Sequence, residues 1–241
     1  LPNSPSRPGA GRGSGARRAS RPIHPDSVSP LTVNRLSVYL RSLRLLEEQG
    51  VTRISSQQLA RRFHLSPTQI RKDLAQFGEF GVRGMGYDVA RLAQHLSTLL
   101  QLDRRHGLLI VGMGNLGTAL ARFPAFNTGS FEVVAGFDTD PAKIGHQVGS
   151  THVHAMGDLR EVVARSGARI AILAVPGSGA PAAYRAVADA GVVAVLNFAP
   201  VTLAPIAGCR VKNVDLRIHL EELAFFLASE IVVHGAESSR V

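Results

Sequence analysis

The stretch that most constrains this chain is LLIVGMGNLGTAL at residues 108–120. Four consecutive apolar residues, Leu108, Leu109, Ile110 and Val111, predict a short strand buried on both faces of a parallel sheet. Gly112, Gly114 and Gly117 then spell G-x-G-x-x-G, with Met113, Asn115 and Leu116 between them. Thr118, Ala119 and Leu120 lead on into a helical stretch. In such a unit the first glycine permits a sharp turn and the second lets backbone approach a pyrophosphate. The third lets the helix lie close on the strand. Unpaired N–H groups at the helix start then face the phosphates. The motif alone is a weak signal, but its place between strand and helix is the context it requires. A second apolar run, residues 131–137, ends at Asp138, 26 residues after Gly112. That is close to the spacing of the acid that hydrogen-bonds the adenosine ribose. The stretch predicts an NAD(H) site; the bland alternative is a glycine turn followed by a surface aspartate.

Charge divides the chain at the same place. Residues 1–106 hold 17 Lys/Arg against 7 Asp/Glu, whereas residues 107–241 hold 10 against 11. The net charge of +9 therefore belongs to the half before the nucleotide motif, which predicts a polyanionic partner for that half alone. With 45% hydrophobic and 19% charged residues, the chain has enough apolar surface for real cores. No apolar run approaches the ~18 residues that span a bilayer, so no membrane is expected. The single cysteine, Cys209, excludes an intramolecular disulfide and reads as a small core residue.

Residues 1–30 are expected to form a disordered basic tail, because residues 1–22 carry five arginines, no acid and few large apolar groups. From Leu31 the pattern is helical. Leu36, Tyr39, Leu40, Leu43 and Leu46 share one face of a helix ending near Gly50. Ser55-Ser56-Gln57-Gln58 and Ser66-Pro67-Thr68-Gln69 are two capping boxes, each opening a short helix. The second helix turns Ile70, Leu74 and Phe77 inward, leaving Gln69, Arg71, Lys72, Asp73 and Gln76 on its other faces. Two capped helices joined by a tight turn, the second carrying amides and cations, predict a helix-turn-helix over about 37–76. Gln69, Arg71, Lys72 and Gln76 are the expected DNA contacts. FGEFGVRGMGY at 77–87 predicts a β-hairpin wing with Arg83 at or near its tip, set to enter a minor groove.

These features divide the chain into a winged helix-turn-helix domain at 31–90, a linker helix at 91–106 and a Rossmann-type parallel α/β domain at 107–214. Strand-like runs at 153–156, 170–175 and 192–198 alternate with helical runs at 159–164 and 182–190. Loops at strand C-termini line the crevice of such a sheet; here they carry Val175-Pro176 and Asn197-Phe198-Ala199-Pro200. A closing helix at 215–234 bears a stripe of Leu216, Leu220, Leu223, Leu227 and Ile231, with Phe225 and Phe226 off it. That surplus of apolar surface suits a subunit contact; burial on its own domain is the alternative.

The chain resembles the bacterial redox-sensing transcriptional repressors of the Rex family. The resemblance runs from about residue 31 to residue 226 and rests on six motifs in order. They are RLSVYLRSL at 35–43, RKDLAQFGEFGVRGMGYDV at 71–89, VGMGNLGTAL at 111–120, FDTDPAKIG at 137–145, LNFAPVTL at 196–203 and VDL at 214–216. It implies a cytoplasmic homodimer that binds operator DNA, an inverted repeat, and releases it when NADH replaces NAD⁺. The last helix would be exchanged between subunits. Residues 112–117 would grip the pyrophosphate, Asp138 would read the ribose, and Asn197, Phe198, Ala199 and Pro200 would lie near the nicotinamide. Lys143, within the fourth motif, joins the cofactor residues. The resemblance also implies a switch in which Asp215 pairs with Arg35 of the other subunit. In relatives a Tyr after the first Rossmann helix is expected to receive that aspartate in the NADH state. Here the candidate is Phe123, which has no hydroxyl to donate.

A Rossmann fold alone serves many enzymes, so an NAD-dependent oxidoreductase is the competing expectation, and a coenzyme A or other nucleotide site is a third. An enzyme needs an acid or base near the nicotinamide. Tyr184 has Ala188, not Lys, four residues on, and no H-E-x-x-H occurs. His152 and His154 alternate along a strand and predict no metal site. The sequence therefore points to a sensor, with no catalytic residues and no metal.

Overall fold

The structure, a computed structural model, describes residues 28–63, 65–78, 80–82 and 85–237, with residues 82 and 228–237 described by their backbone. The chain forms two compact units, Leu1–Gln101 and Leu102–Val241. Among the described residues no helix is long and apolar enough to cross a membrane.

The first unit opens with α1 (Pro30–Glu48), which Ser29 caps by accepting the Leu31 N–H. Its three–four spacing buries Leu36, Tyr39, Leu40, Leu43 and Leu46. They pack on α4 (Val89–Leu99), whose inward residues are Val89, Leu92, Ala93 and Leu96. The helix expected as a linker over 91–106 thus starts at Val89, stops at Leu99 and is part of the first unit's core. Between them lie α2 (Ser56–Phe63) and α3 (Pro67–Ala75). Three short antiparallel strands complete the unit: β1 (Arg53–Ile54), β2 (Gly81–Val82) and β3 (Gly86–Asp88), in the order β1-β3-β2. The expected hairpin is β2 and β3; β1 was not expected and pairs Ile54 with Tyr87. Phe80 before the hairpin packs against His95 of α4, ring centroids 4.3 Å apart and the planes tilted by 53°, tying the wing to the helical core. Arg83 lies outside the described residues.

The second unit is built on a seven-stranded sheet. In chain order its strands are β4 (His106–Val111), β5 (Phe131–Asp138), β6 (Gln147–Val148), β7 (Thr151–Ala155), β8 (Ile170–Leu173), β9 (Ala194–Asn197) and β10 (Arg210–Asn213). They lie in the order β10-β9-β8-β4-β5-β7-β6, and all pairs are parallel except β6 with β7. Setting the edge strand β6 aside, the parallel strands run 3-2-1-4-5-6 in chain order, the doubly wound arrangement of dinucleotide-binding folds. The order reverses between β4 and β8, so a crevice opens beyond the ends of those strands.

Alternation along β4 sends its side chains to two cores. Leu109 and Val111 pack with α6 (Leu159–Ser166) and α7 (Ala180–Asp189) on one face. Leu108 and Ile110 pack on the other face with Met113 and with Ala121 of α5 (Asn115–Ala121). Burial on both faces explains why these strands read as apolar runs. The unit ends in α8 (Leu216–Glu237), whose side chains Leu216, Ile218, Leu220, Leu223, Phe225, Phe226 and Leu227 are all exposed on the chain. Burial of these residues on their own domain is therefore not what the fold does; Ile231 falls where only the backbone is described.

Candidate functional site

The crevice at the switch point is a cleft of about 910 Å³. Its floor is the turn after β4. Gly112 has φ +95°, and a Cβ there would meet the Ala174 carbonyl oxygen at 2.7 Å, so only glycine makes this turn. At Gly117 a Cβ would collide with the Gly112 carbonyl oxygen, which is how α5 lies against β4. Gly114 is the opposite case, since a Cβ there would meet nothing, and its backbone faces open space at the cleft.

Asp138, at the end of β5, is nearly buried and ties the turn to its own strand. One oxygen accepts the Met113 N–H at 2.8 Å and the Lys143 ammonium at 3.1 Å; the other accepts the Asp140 N–H at 2.9 Å. Burial alone would raise this carboxyl, but the Asp140 N–H, Lys143 and the Met113 N–H together hold it below the usual carboxylate range. It is an anion at the cleft wall. The salt bridge with Asp138 in turn raises Lys143.

Of the expected cofactor residues, Gly112, Gly114, Leu116, Asp138, Lys143, Val175, Pro176, Phe198 and Pro200 line the cleft. Met113, Asn115, Gly117, Asn197 and Ala199 do not. Met113 turns to the opposite core, with its sulfur against Gly136, and contributes only its N–H to Asp138. Asn115 is exposed on α5. Asn197 is fully buried behind the loop: Nδ2 donates to the Val201 carbonyl at 2.8 Å and to Asn213 Oδ1 at 2.9 Å, while Oδ1 accepts the Ala199 N–H at 3.0 Å. It shapes the loop that carries Phe198 and Pro200 rather than facing a ligand. Residues the sequence did not single out, among them Thr139, Met156, Ala182 and Ala186, complete the lining. The small residues on one face of α7 were the available signal, since alanines there leave room beside the sheet.

Tyr184 is buried, with its hydroxyl donating to the Cys209 carbonyl and accepting the Ile206 N–H at 3.1 Å. Both bonds are structural, so it is no acid for a bound substrate. His152 and His154 do project to one side, 4.9 Å apart. Among the described residues no group of three or more His, Cys, Asp or Glu could hold a metal.

In the first unit, α3 presents Arg71, Lys72 and Gln76 to solvent, with Gln69 half-buried at its start. Arg71 donates to Ser56 Oγ at 3.0 Å and Thr68 Oγ1 at 3.2 Å, bracing α3 on α2. Asp73, expected on an outer face, is instead buried. It accepts Arg35 Nε at 2.7 Å and Nη2 at 2.8 Å, the Tyr39 hydroxyl at 2.9 Å and Gln69 Nε2 at 2.8 Å. Four donors on two oxygens are what permits a charge to stay inside. Burial alone would raise Asp73, yet Arg35, Gln69 and Tyr39 together hold it below the usual range. Burial and that anion push the Tyr39 hydroxyl up.

Arg35, expected as a switch residue, is thus occupied within its own unit by Asp73, with a further bond to Thr32 at 3.3 Å. Asp215 lies just before α8 in the second unit and accepts the Arg217 N–H at 2.9 Å. Phe123 follows α5, about half exposed, with its ring edge-on to Phe126 at 5.3 Å.

Two family models match the chain: "Putative DNA-binding protein N-terminus" over residues 27–75 and "CoA binding domain" over residues 103–201. A redox-sensing transcriptional repressor Rex of Chloroflexus aggregans is 40% identical over 205 residues, covering 85% of this chain and 97% of that protein. The chain belongs to the Rex family. A second Rex, from Desulforamulus reducens, is 42% identical over 197 residues, covering 82% of this chain and 94% of its own. Among solved structures, a Rex-family repressor called RSP in complex with β-NAD⁺ and operator DNA superimposes with a TM-score of 0.80 at 31% identity. That match covers 89% of this chain and 99% of RSP. RSP in complex with β-NADH gives 0.78 at the same identity, covering 87% and 98%. Both of these relatives are named as redox-sensing transcriptional repressors.

Proposed function

We propose that this protein is a homodimeric repressor that binds operator DNA when NADH is scarce and lets go when NADH binds. The observation that carries this reading is the joining, in one chain, of a basic unit with an exposed α3 to a cleft walled by a glycine turn and Asp138. Solved relatives in complex with NAD⁺ and operator DNA, and with NADH, support it. DNA and a nicotinamide nucleotide as partners imply a cytoplasmic protein.

In the cleft, the backbone at 112–117 receives the pyrophosphate, and the open space over Gly114 leaves room for that approach. Asp138 faces the ribose diol of the adenosine, with Lys143 beside it. Coenzyme A carries a 3′-phosphate on that ribose, which the Asp138 anion repels, so the nicotinamide nucleotide is the better fit. The bound ligand supplies a ring that is cationic when oxidised and neutral when reduced. Val175, Pro176, Phe198 and Pro200 offer that ring an apolar wall, which favours the neutral form.

On the DNA side, Gln69, Arg71, Lys72 and Gln76 meet the major groove, and Arg83 on the wing meets the minor groove. Two copies of α3 must stand about 34–36 Å apart to enter successive major grooves of an inverted repeat. The exposed apolar α8 is the dimerisation element. The switch is Asp215 of one subunit pairing with Arg35 of the other in the DNA-competent dimer. An Arg carries five N–H donors. Asp73 and Thr32 take three among the described residues, which leaves the Nη1 pair for that carboxylate. Because Phe123 has no hydroxyl, the released Asp215 turns to water or a backbone N–H.

The test is a titration of the dimer on a palindromic duplex with NADH, NAD⁺ and coenzyme A in turn. Release by NADH at lower concentration than by NAD⁺, with none by coenzyme A, is expected. Release by coenzyme A alone would overturn the cofactor assignment, and no duplex binding at all would overturn the repressor assignment.

A further inference from the structure

The two Ser-x-x-Gln boxes of the first unit begin with the same pattern and end differently. In the first, the Gln58 N–H donates to Ser55 Oγ at 3.2 Å and the Ser55 N–H donates back to Gln58 Oε1 at 2.8 Å. In the second, the Gln69 N–H donates to Ser66 Oγ at 3.0 Å, but the Gln69 side chain does not return. It runs forward instead to Asp73, with Nε2 at 2.8 Å from Oδ1. A glutamine serving only as a cap would close the box as Gln58 does, reaching back to the helix start.

A carboxylate accepts hydrogen bonds and cannot donate them. The two ends of a glutamine amide are nearly alike in shape, so the chemistry of the neighbour decides which way round it sits. Asp73 is buried with Arg35 bound to both of its oxygens and is charged. Gln69 must therefore turn its NH₂ group to Asp73 and its carbonyl oxygen away. Gln69 is the third residue of α3, in the N-terminal turn that meets base edges in helix-turn-helix complexes.

We propose that Asp73 is a positioning residue for base recognition, holding Gln69 so that Oε1 and the second Nε2 hydrogen face the groove and select adenine. In the major groove adenine offers an exocyclic amino donor beside the N7 acceptor, the complement of that arrangement. A guanine offers two acceptors there and does not fit. This inference rests on the reading of α3 as the recognition helix.

The test uses the full-length dimer and an operator in which each base pair is varied in turn. Gln69→Ala is expected to lose discrimination at one base pair of each half-site, about tenfold or more, the range of a lost side chain-to-base contact. At that pair, replacing adenine by purine, which removes only the amino group, should weaken the wild type by a similar factor and leave Gln69→Ala unaffected. Asp73→Asn can itself donate, so it lets the amide turn round. It should lose discrimination at that same pair, non-additively with Gln69→Ala, whereas damage to the fold alone would lower binding to every sequence evenly. If Asp73→Asn fails to fold, the purine substitution on wild type and Gln69→Ala still decides. A wild type indifferent to the amino group, or selecting guanine through Gln69, overturns the proposal. So does a Gln69→Ala variant with unaltered discrimination while Arg71→Ala and Lys72→Ala weaken operator binding. Wild-type operator binding in all three variants would instead overturn the recognition-helix reading beneath it.

Discussion

Asp138 joins two tasks that its variants should separate. In Asp138→Ala the Met113 N–H, buried under the turn, loses its acceptor, whereas the half-exposed Asp140 can turn its N–H to water. One orphaned buried donor costs about 1–3 kcal/mol. For a unit of this size that lowers Tm by about 3–10 °C. Asp138→Asn keeps one acceptor for the Met113 N–H and should recover most of that loss, yet it lacks the charge. Both variants should lose the preference for NADH over NADPH, because the anion that repels a 2′-phosphate is gone. Lys143 would keep only its longer ion pair with Asp140, at 3.6 Å, and in the proposed ribose site it should raise NADPH affinity in absolute terms. Calorimetric titration with each nucleotide, set against thermal unfolding of the same samples, measures both effects. The chain has no tryptophan, so NADH fluorescence offers a second readout without that background. A wild type that binds NADPH as tightly as NADH would refute the ribose role. An Asp138→Ala variant that melts like the wild type would refute the structural one.

Gly117→Ala should fold poorly, because its methyl collides with the Gly112 carbonyl, while Gly114→Ala should fold normally and lose cofactor affinity; equal melting of the two would contradict this packing. Arg71→Ala and Lys72→Ala should weaken operator binding with NADH affinity unchanged, and Lys72→Ala should reduce the salt slope by about one if it contacts a phosphate. Phe123→Tyr should lower the NADH concentration that releases DNA, and Asp215→Ala should weaken repression or uncouple it from NADH; mobility shifts showing wild-type behaviour in both would remove the Arg35–Asp215 switch. The lowered Asp73 carboxyl makes the first unit acid-sensitive in a defined direction. Below about 3.9, the ordinary value, the unfolded chain protonates first. Stability is therefore complete above that pH and falls as pH drops toward the folded value, and Asp73→Asn should flatten this part of the acid-unfolding curve.

The parts of the fold that were legible in the sequence are those set by neighbouring residues. The glycine turn, the apolar run before it and Asp138 after it lie within 31 residues, from Leu108 to Asp138. Their geometry follows from local sterics and alternation. The two-residue strand β1 was not legible, because Arg53 and Ile54 become a strand only by pairing with Asp88 and Tyr87. Asp73 was misplaced because a carboxylate among polar neighbours reads as solvated, and its partner Arg35 is 38 residues away. One signal was present: at 100° per residue Asp73 lies next to Phe77, at the edge of the inner face formed by Ile70, Leu74 and Phe77. The inward face of α4 was equally readable, since Val89, Leu92, Ala93 and Leu96 keep helical spacing. Within the cleft, two steps were missing. Alternation along β9 turns Asn197 into the protein while Phe198 lines the cleft, and the positive-φ turn at Gly112 breaks the alternation of β4, sending Met113 to the core of Leu108 and Ile110.

The arrangement of apolar residues on α8 has a consequence for assembly. At 100° per residue, Leu216, Leu220, Leu223 and Leu227 cluster on one side, while Ile218 and Phe225 fall on the opposite side. A helix greasy on one side can lean against a surface; one greasy on opposite sides has to be enclosed. Enclosure needs two walls, and the proposed dimer, by exchanging the helix, would supply them from two subunits. The folded chain and the dimer would then form in one event rather than in succession. The melting temperature should climb with protein concentration, as mass action requires of an obligate pair. Dilution would then abolish repression by removing the folded species itself, with no change at the operator or in the cofactor cleft.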